Sequence, residues 1–407
     1  MVIAYFTPVT GASGGAILGV ACGILLLYCG EVLGASSIVS SIGLHPRKAM
    51  TEPGSTWKLC LVSAFMLIGN TVLARYFTTD YRLIQDPSIP IVSNIGYLIG
   101  GFLVGFGTRL SNGCTTGHGF CGMARLSKRS IVAVVAFMVA GVATASLLDP
   151  KNSFASATSF LRTDKAPELF NQWVGLAVTL PMVLGTVYAL HNLRKSYQGL
   201  VHEDNDASST RASDDPNEDN GAAVKNAPDL EGGQTDQSEQ RIVILDGVKK
   251  LKPAAVAGMI FSSALAIGGV VLPSKISGCL NVLLIAKGTW DPTLMALMMG
   301  GLSVSWISYQ FVSGIGVIEN SFAMERPKCS SDFELPKNQK IDILLTVGAL
   351  CFGAGWALAG VCPGTGLFLA ASGCTPVILF FWPLFFVGAF VAQAIDDRSW
   401  CINSCRR

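Results

Sequence analysis

The chain has 407 residues, of which 50% are hydrophobic and 14% are charged, against roughly 25% charged in an ordinary soluble domain. With a mean hydropathy of +0.49, that balance excludes a typical cytosolic enzyme, a largely disordered chain and a small disulfide scaffold. A formal net charge of +2 points to no nucleic-acid partner.

Apolar runs near the membrane-spanning length predict nine transmembrane helices, at 10–30, 57–76, 91–110, 129–149, 170–191, 253–272, 291–311, 341–360 and 376–395. The first run reads as a span, not a cleavable signal, because no basic segment precedes it and Glu31 follows it directly. Residues 196–250 contain EDNDASSTRASDDPNEDN and read as an acidic, disordered linker. It divides a first membrane half with its connector helix, 1–195, from a second half with a short tail, 251–407. Of the 29 Lys and Arg, 22 flank or lie in the odd-numbered connections, which the positive-inside rule makes cytoplasmic. The N-terminus is then outside, and the linker and C-terminus are inside. With no clear targeting peptide, the plasma membrane is the expected location.

Four connections are too rich in Gly, Ser and apolar residues for solvent loops: 31–43, 111–124, 273–286 and 361–374. They read as short re-entrant segments. GFLVGFGTRLSNGC at 101–114 aligns with ALCFGAGWALAGVC at 349–362, matching Gly105 to Gly353, Gly107 to Gly355 and Cys114 to Cys362. Ser36 and Ser277 fall in a weaker second pair. The odd number of spans between the halves gives them opposite orientation. The expected fold is an all-α integral membrane protein built from two inverted repeats, a transporter arrangement.

The residues in these breaks suit a small oxyanion. Such an ion sheds water at large cost unless preorganised donors replace it. Gly113, Gly117 and Gly364 permit close backbone approach, and helix N-termini supply free N–H groups. A neutral thiol is a weak donor that releases what it holds. Cys114, Cys121, Cys279 and Cys362 are therefore candidate contacts, with the hydroxyls of Ser36 and Ser277. His118 reads either as a loop cap or as a pathway residue. Cys114 and His118 alone do not make a zinc site without a second ligand pair, so no metal is expected. No cofactor is expected either, and there is no Walker A motif, HExxH or nucleophile elbow. Arg109, Arg125, Lys128, Arg129 and Lys275 either gather anions or anchor topology.

SNGCTTGHGFCGMARLSKRS at 111–130 and GAGWALAGVCPGTG at 353–366 closely resemble the two signatures of the YeeE/YedE sulfur-transport family. The segments around Ser36 and Ser277 resemble its Ile-Ser-Gly repeats, although Gly34-Ala35-Ser36-Ser37 departs from that pattern. The resemblance covers roughly 10–150 and 253–395, so the chain looks like a fusion of two halves. It implies an hourglass-shaped membrane protein that passes thiosulfate, or a related small sulfur anion, along cysteine thiols. By motif match the thiol role falls to Cys114 and Cys362, with Cys121 in the same signature and Cys22 or Cys29 as a further N-terminal thiol. The expected partners are that inorganic anion and the lipid bilayer, and the sequence names no protein partner. Two other functions remain open: a membrane thiol or persulfide exchange enzyme, and a passive channel for hydrosulfide or another small anion.

Overall fold

A computed structural model describes residues 7–73, 91–149, 161–163, 172–213, 231–315, 323–336 and 339–404. In the first half, α1 (Pro8–Ile24) continues as a wide turn to Cys29, and α2 (Ala35–Leu44) and α3 (Pro46–Thr51) follow. Then come α4 (Thr56–Ile68, widening to Leu73), α5 (Asn94–Ser111), a wide helical segment at Thr115–Gly122, and α6 (Lys128–Leu147). Two long helices, α7 (Gln172–Ser213) and α8 (Glu231–Ile267), lead into the second half. It continues with α9 (Pro273–Leu280), α10 (Leu284–Lys287), α11 (Thr293–Gln310), α12 (Ile343–Ala359), α13 (Pro363–Ala371) and α14 (Trp382–Ser404, preceded by a wide turn from Val377).

Local chemistry sets several helix ends. Pro8 and Pro363 sit at first-turn positions, where a missing N–H costs nothing. Ser93 caps α5 by accepting from Gly96 N–H (3.2 Å), and Asp342 caps α12 by accepting from Leu345 N–H (2.9 Å).

Among the described residues, six stretches are long and apolar enough to cross a membrane: Pro8–Cys29, Lys128–Leu147, Trp173–Val201, Gln240–Ile267, Ile343–Ala371 and Val377–Asp396. This is a helical, multi-pass membrane protein. The spans expected at 57–76, 91–110 and 291–311 are helical as α4, α5 and α11, but fall outside the six. Lys58, Arg109, Gln310 and several Gly and Ser residues dilute their apolar content. The fold is helical, as expected, and a two-residue antiparallel pairing of Ile91–Val92 with Arg162–Thr163 does not alter its class. One expectation needs correction. Residues 196–213 and 231–250 are helical, not unstructured linker, while 214–230 lie outside the described residues. Helix persists toward 250 because that stretch packs: Asp246 accepts from Ser331 N–H (3.0 Å) and Gly247 lies against the Pro53 carbonyl.

Helix packing follows a reciprocal pattern. α1 packs on α11 while α4 packs on α8, and α5 packs on α14 while α6 packs on α12. The two exchanging pairs meet through α1 on α8 and α5 on α12. Matched glycines make these seams. A Cβ on Gly105 would strike the backbone of Phe385, and one on Gly353 the backbone of Phe137. Gly107 abuts Phe352 N, and Gly355 abuts Val104 N. Glycine is needed because backbones this close leave no room for a side chain.

The linker-side face is strapped by the segment before α12. Lys328 N–H donates to Leu27 O (3.0 Å), and Glu334 N–H to Gly30 O (2.8 Å). Lys250 pairs there with Glu31 (3.0 Å). Burial pushes the Glu31 carboxyl above its ordinary range, and Lys250 opposes that shift.

Gly105→Val and Gly353→Val should each lower thermal stability in detergent by about 3 kcal/mol or more, since neither seam can yield without backbone movement. Gly199→Ala, with nothing within 4 Å, should be neutral or slightly stabilising. Equal midpoints for all three variants would contradict the packing described.

Candidate functional site

Two helix breaks share one design. α5 ends on Asn112, whose left-handed backbone (φ 58°) turns the chain. Two residues later, Cys114 caps the Thr115–Gly122 segment. α12 ends on Gly360 in the same left-handed region (φ 64°), and two residues later Cys362 caps α13. Each thiol sits beside a threonine hydroxyl. Cys114 Sγ and Thr116 Oγ1 are 3.0 Å apart. At the second break, Thr365 Oγ1 accepts from Cys362 N–H (2.9 Å) and lies 3.4 Å from Cys362 Sγ, which also accepts from Thr365 N–H (3.5 Å). This reciprocal capping box uses a thiol where Ser or Thr usually stands.

The breaks meet. Ala35 N–H, at the start of α2, donates to Thr116 Oγ1 (3.3 Å). A Cβ on Gly364 would stand 3.8 Å from the Ala35 methyl, and one on Gly117 would stand 3.9 Å from Gly34 Cα. Gly360 lies against Pro273, the first residue of α9. The starts of α2, α9, α13 and the Thr115 segment are thus gathered by direct contact.

Two cavities flank this junction. One is a mainly apolar chamber of about 30 Å³, lined by Thr115, Thr116, Phe261, Trp356, Cys362 and Gly364 among others. The other is a polar vestibule of about 110 Å³, lined by Ser36, Ser40, Thr108, Arg109, Asn112 and Gly113 among others. Both exceed the ~10–15 Å³ that one water requires. Gly113 faces the vestibule and Thr115 the chamber, so Cys114 between them stands in the partition. Cys114 is itself buried (1% exposed). Ala35 is in the same wall, between the vestibule residue Ser36 and the chamber residues Thr116 and Gly364.

The other candidates divide. Ser36 and Ser277 are both buried, and neither hydroxyl has a protein partner among the described residues. His118 lines neither cavity. Its Nε2 lies 3.2 Å from Ser111 O and its Nδ1 3.1 Å from Ser130 Oγ, while the ring presses on Gly113. It braces the loop. Cys121 lines neither cavity and donates to Leu33 O (3.8 Å). Cys279 is buried, and its carbonyl accepts from Trp290 Nε1 (2.8 Å). Of the N-terminal thiols, Cys22 is buried in α1 and Cys29 donates to Lys250 O (3.7 Å). Neither lines either cavity.

The basic residues also part. Arg125 donates to Pro336 O (3.1 Å) and Arg129 pairs with Asp342 (3.5 Å), so both pin the strap. Lys275 is buried against Asp291 (2.7 Å) and is not exposed for steering. Arg109 alone of this group faces a cavity. Sequence reasoning missed Thr116, Thr365 and Trp356. The threonines carry a readable signal, each lying two or three residues after its cysteine. Trp356, whose buried Nε1 has no protein partner, read only as part of a span.

Two stretches of the chain match known families. Residues 4–144 match a family described as sulphur transport, and residues 250–398 match a family of unknown function. One protein of Xylella fastidiosa (strain 9a5c), named a probable transporter, is 34% identical over 145 residues, covering 35% of this chain and 95% of the relative. A second probable transporter from that strain is 32% identical over 127 residues, covering 31% of this chain and 79% of the relative.

The Lys275–Asp291 pair gives a direct check of the site's second-half wall. Asp291→Ala removes a carboxylate from the buried Lys275 ammonium and an acceptor from Thr293, and should cost about 3–5 kcal/mol of thermal stability. Combining it with Lys275→Met should recover most of that loss. A double variant no better than the single one would contradict a buried, mutually neutralising pair.

Proposed function

The chain belongs to the YeeE/YedE sulfur-transport family, and we propose that it carries thiosulfate, or a closely related small sulfur anion, across the membrane between the Cys114 and Cys362 thiols. One observation carries this reading. The two cysteines stand at matching caps of two broken helices, Cys362 lining the chamber and Cys114 lying in the chain between Gly113 of the vestibule and Thr115 of the chamber.

The chemistry follows from the surroundings. An anion entering the partition loses water, and preorganised donors offset that loss. The starts of α2, α9 and α13 direct positive helix ends at the junction. Trp356 Nε1 on the chamber wall is a buried donor without a partner among the described residues, as is the Ser277 hydroxyl next to the chamber residue Ile276. The thiols are neutral, short-reach donors, so the anion is held weakly enough to leave. No lysine or arginine lines the chamber, and a tight ion pair there would trap the cargo.

The reciprocal helix packing supports an inverted repeat. Exchanging the first-half helices α1, α4, α5 and α6 for α8, α11, α12 and α14 leaves the set of contacting pairs unchanged. In this reading α2, α9, α13 and the Thr115–Gly122 segment are re-entrant, two from each side, and all nine long helices among the described residues cross the bilayer. The linker and C-terminus face the cytoplasm and the N-terminus faces outward, in a plasma membrane.

Purified protein in liposomes should take up thiosulfate saturably. Cys114→Ala and Cys362→Ala should each slow uptake about tenfold or more, the loss expected for a hydrogen bond to a charged group. Undiminished uptake in both would remove the thiols from the mechanism. Serine replacements separate transport from thiol exchange: a hydroxyl keeps a hydrogen-bonding path partly active, whereas an exchange reaction dies with the sulfur.

A further inference from the structure

The vestibule holds buried donors that have no partner among the described residues. Helix α2 presents Ser36, Ser37, Ser40 and Ser41 to it. Ser37 and Ser41 donate to their own helix, to Gly34 O (2.9 Å) and Ile38 O (2.8 Å). Thr108 likewise donates to Gly105 O (3.2 Å). Ser36 does not: its hydroxyl is buried, with 3% of the residue exposed, and has no protein partner. Arg109 Nε is also buried and unpartnered among the described residues; Arg125 Nε is too, but Arg125 lines neither cavity and is tied to the strap through Nη1, as Arg129 is through its own. A buried donor left unpaired is costly, so two facing one cavity mark a place for an acceptor that the chain does not supply.

The remaining lining fixes the sign of that acceptor. His45, Asn112 and Gln393 add groups able to donate, and no carboxylate lines the cavity. Ser36 also lies in the first turn of α2, at the positive helix end. A guanidinium fork beside hydroxyl donors suits an oxyanion with several oxygens. At about 110 Å³ the space is several times larger than the chamber beyond the partition.

We propose that the vestibule is an oxyanion-binding antechamber, in which Arg109 and Ser36 hold a small divalent sulfur oxyanion next to the thiol partition. The inference rests on the transport reading for the identity of the anion, but not for the existence of the site. Arg109 gathers the anion where solvent still reaches it. The neutral thiols then pass it without competing with a fixed charge. Charge and passage are thereby separated into adjacent compartments, joined at Gly113 and Cys114.

Equilibrium binding of radiolabelled thiosulfate to the purified full chain in detergent tests this. Wild type should bind saturably. Arg109→Gln should weaken binding about tenfold or more, Arg109→Lys less, and Ser36→Ala a few-fold. Absence of saturable binding to wild type at millimolar thiosulfate would overturn the antechamber. So would an unchanged Kd in both Ser36→Ala and Arg109→Lys, which are conservative enough to fold. Liposome uptake separates the two readings. Saturable, Arg109-dependent binding without uptake refutes transport and keeps the site; uptake with binding indifferent to Arg109 and Ser36 does the reverse.

Discussion

A helix that breaks inside a membrane protein must have its free backbone groups satisfied by protein, because no lipid can hydrogen-bond to them. That constraint organises this molecule. At the second break, the Cys362 N–H and the Thr365 N–H are both met within one capping box. At the first, the Thr116 hydroxyl accepts the leading N–H of α2, so one segment caps another. The residues that solve the backbone problem are the ones beside the thiols. Structural satisfaction and the candidate chemistry therefore occupy the same few positions, and neither can be altered alone.

The breaks stay together because the long helices approach at van der Waals distance. Gly105 and Gly353 admit the backbones of Phe385 and Phe137, and Gly15 and Gly258 admit those of Leu297 and Leu61. Each contact joins a helix of one half to a helix of the other or to its counterpart in the exchange pattern. Charged groups lie mostly away from the junction and are internally neutralised. Asp149 accepts from Lys287 (2.9 Å) and Asn281 (2.8 Å), Lys275 meets Asp291, and Lys250 meets Glu31. Arg109 is the exception among the cavity-lining residues, and its isolation from carboxylates gives the vestibule its sign.

Much of this was legible in the sequence. Apolar runs marked stretches that are helical, and the spacing from Gly105 to Cys114, repeated from Gly353 to Cys362, marked the two places where a helix ends on a left-handed residue. That worked because the close approach of backbones and the left-handed turn each demand particular residue types at fixed offsets. Long-range pairing was not legible. Nothing in sequence ties Arg125 to Pro336, or Arg129 to Asp342, each more than 200 positions away. Lys275 looked exposed because Asp291 lies 16 residues further on, across a turn. His118 read equally as brace or ligand until Ser111 and Ser130 were seen to hold its ring. The acidic segment read as unstructured by composition, yet helix extends into it from both sides. Its flanks carry apolar and helix-forming residues that find packing partners.

The central claim is that an anion crosses between the two thiols. Cryo-electron microscopy of the full chain in lipid nanodiscs, with and without saturating thiosulfate, addresses it most directly. The account predicts ligand-dependent density in the partition, within hydrogen-bond reach of Cys114 Sγ or Cys362 Sγ and continuous with the vestibule. Density confined to a different crevice, with the partition closed and unchanged, would contradict it.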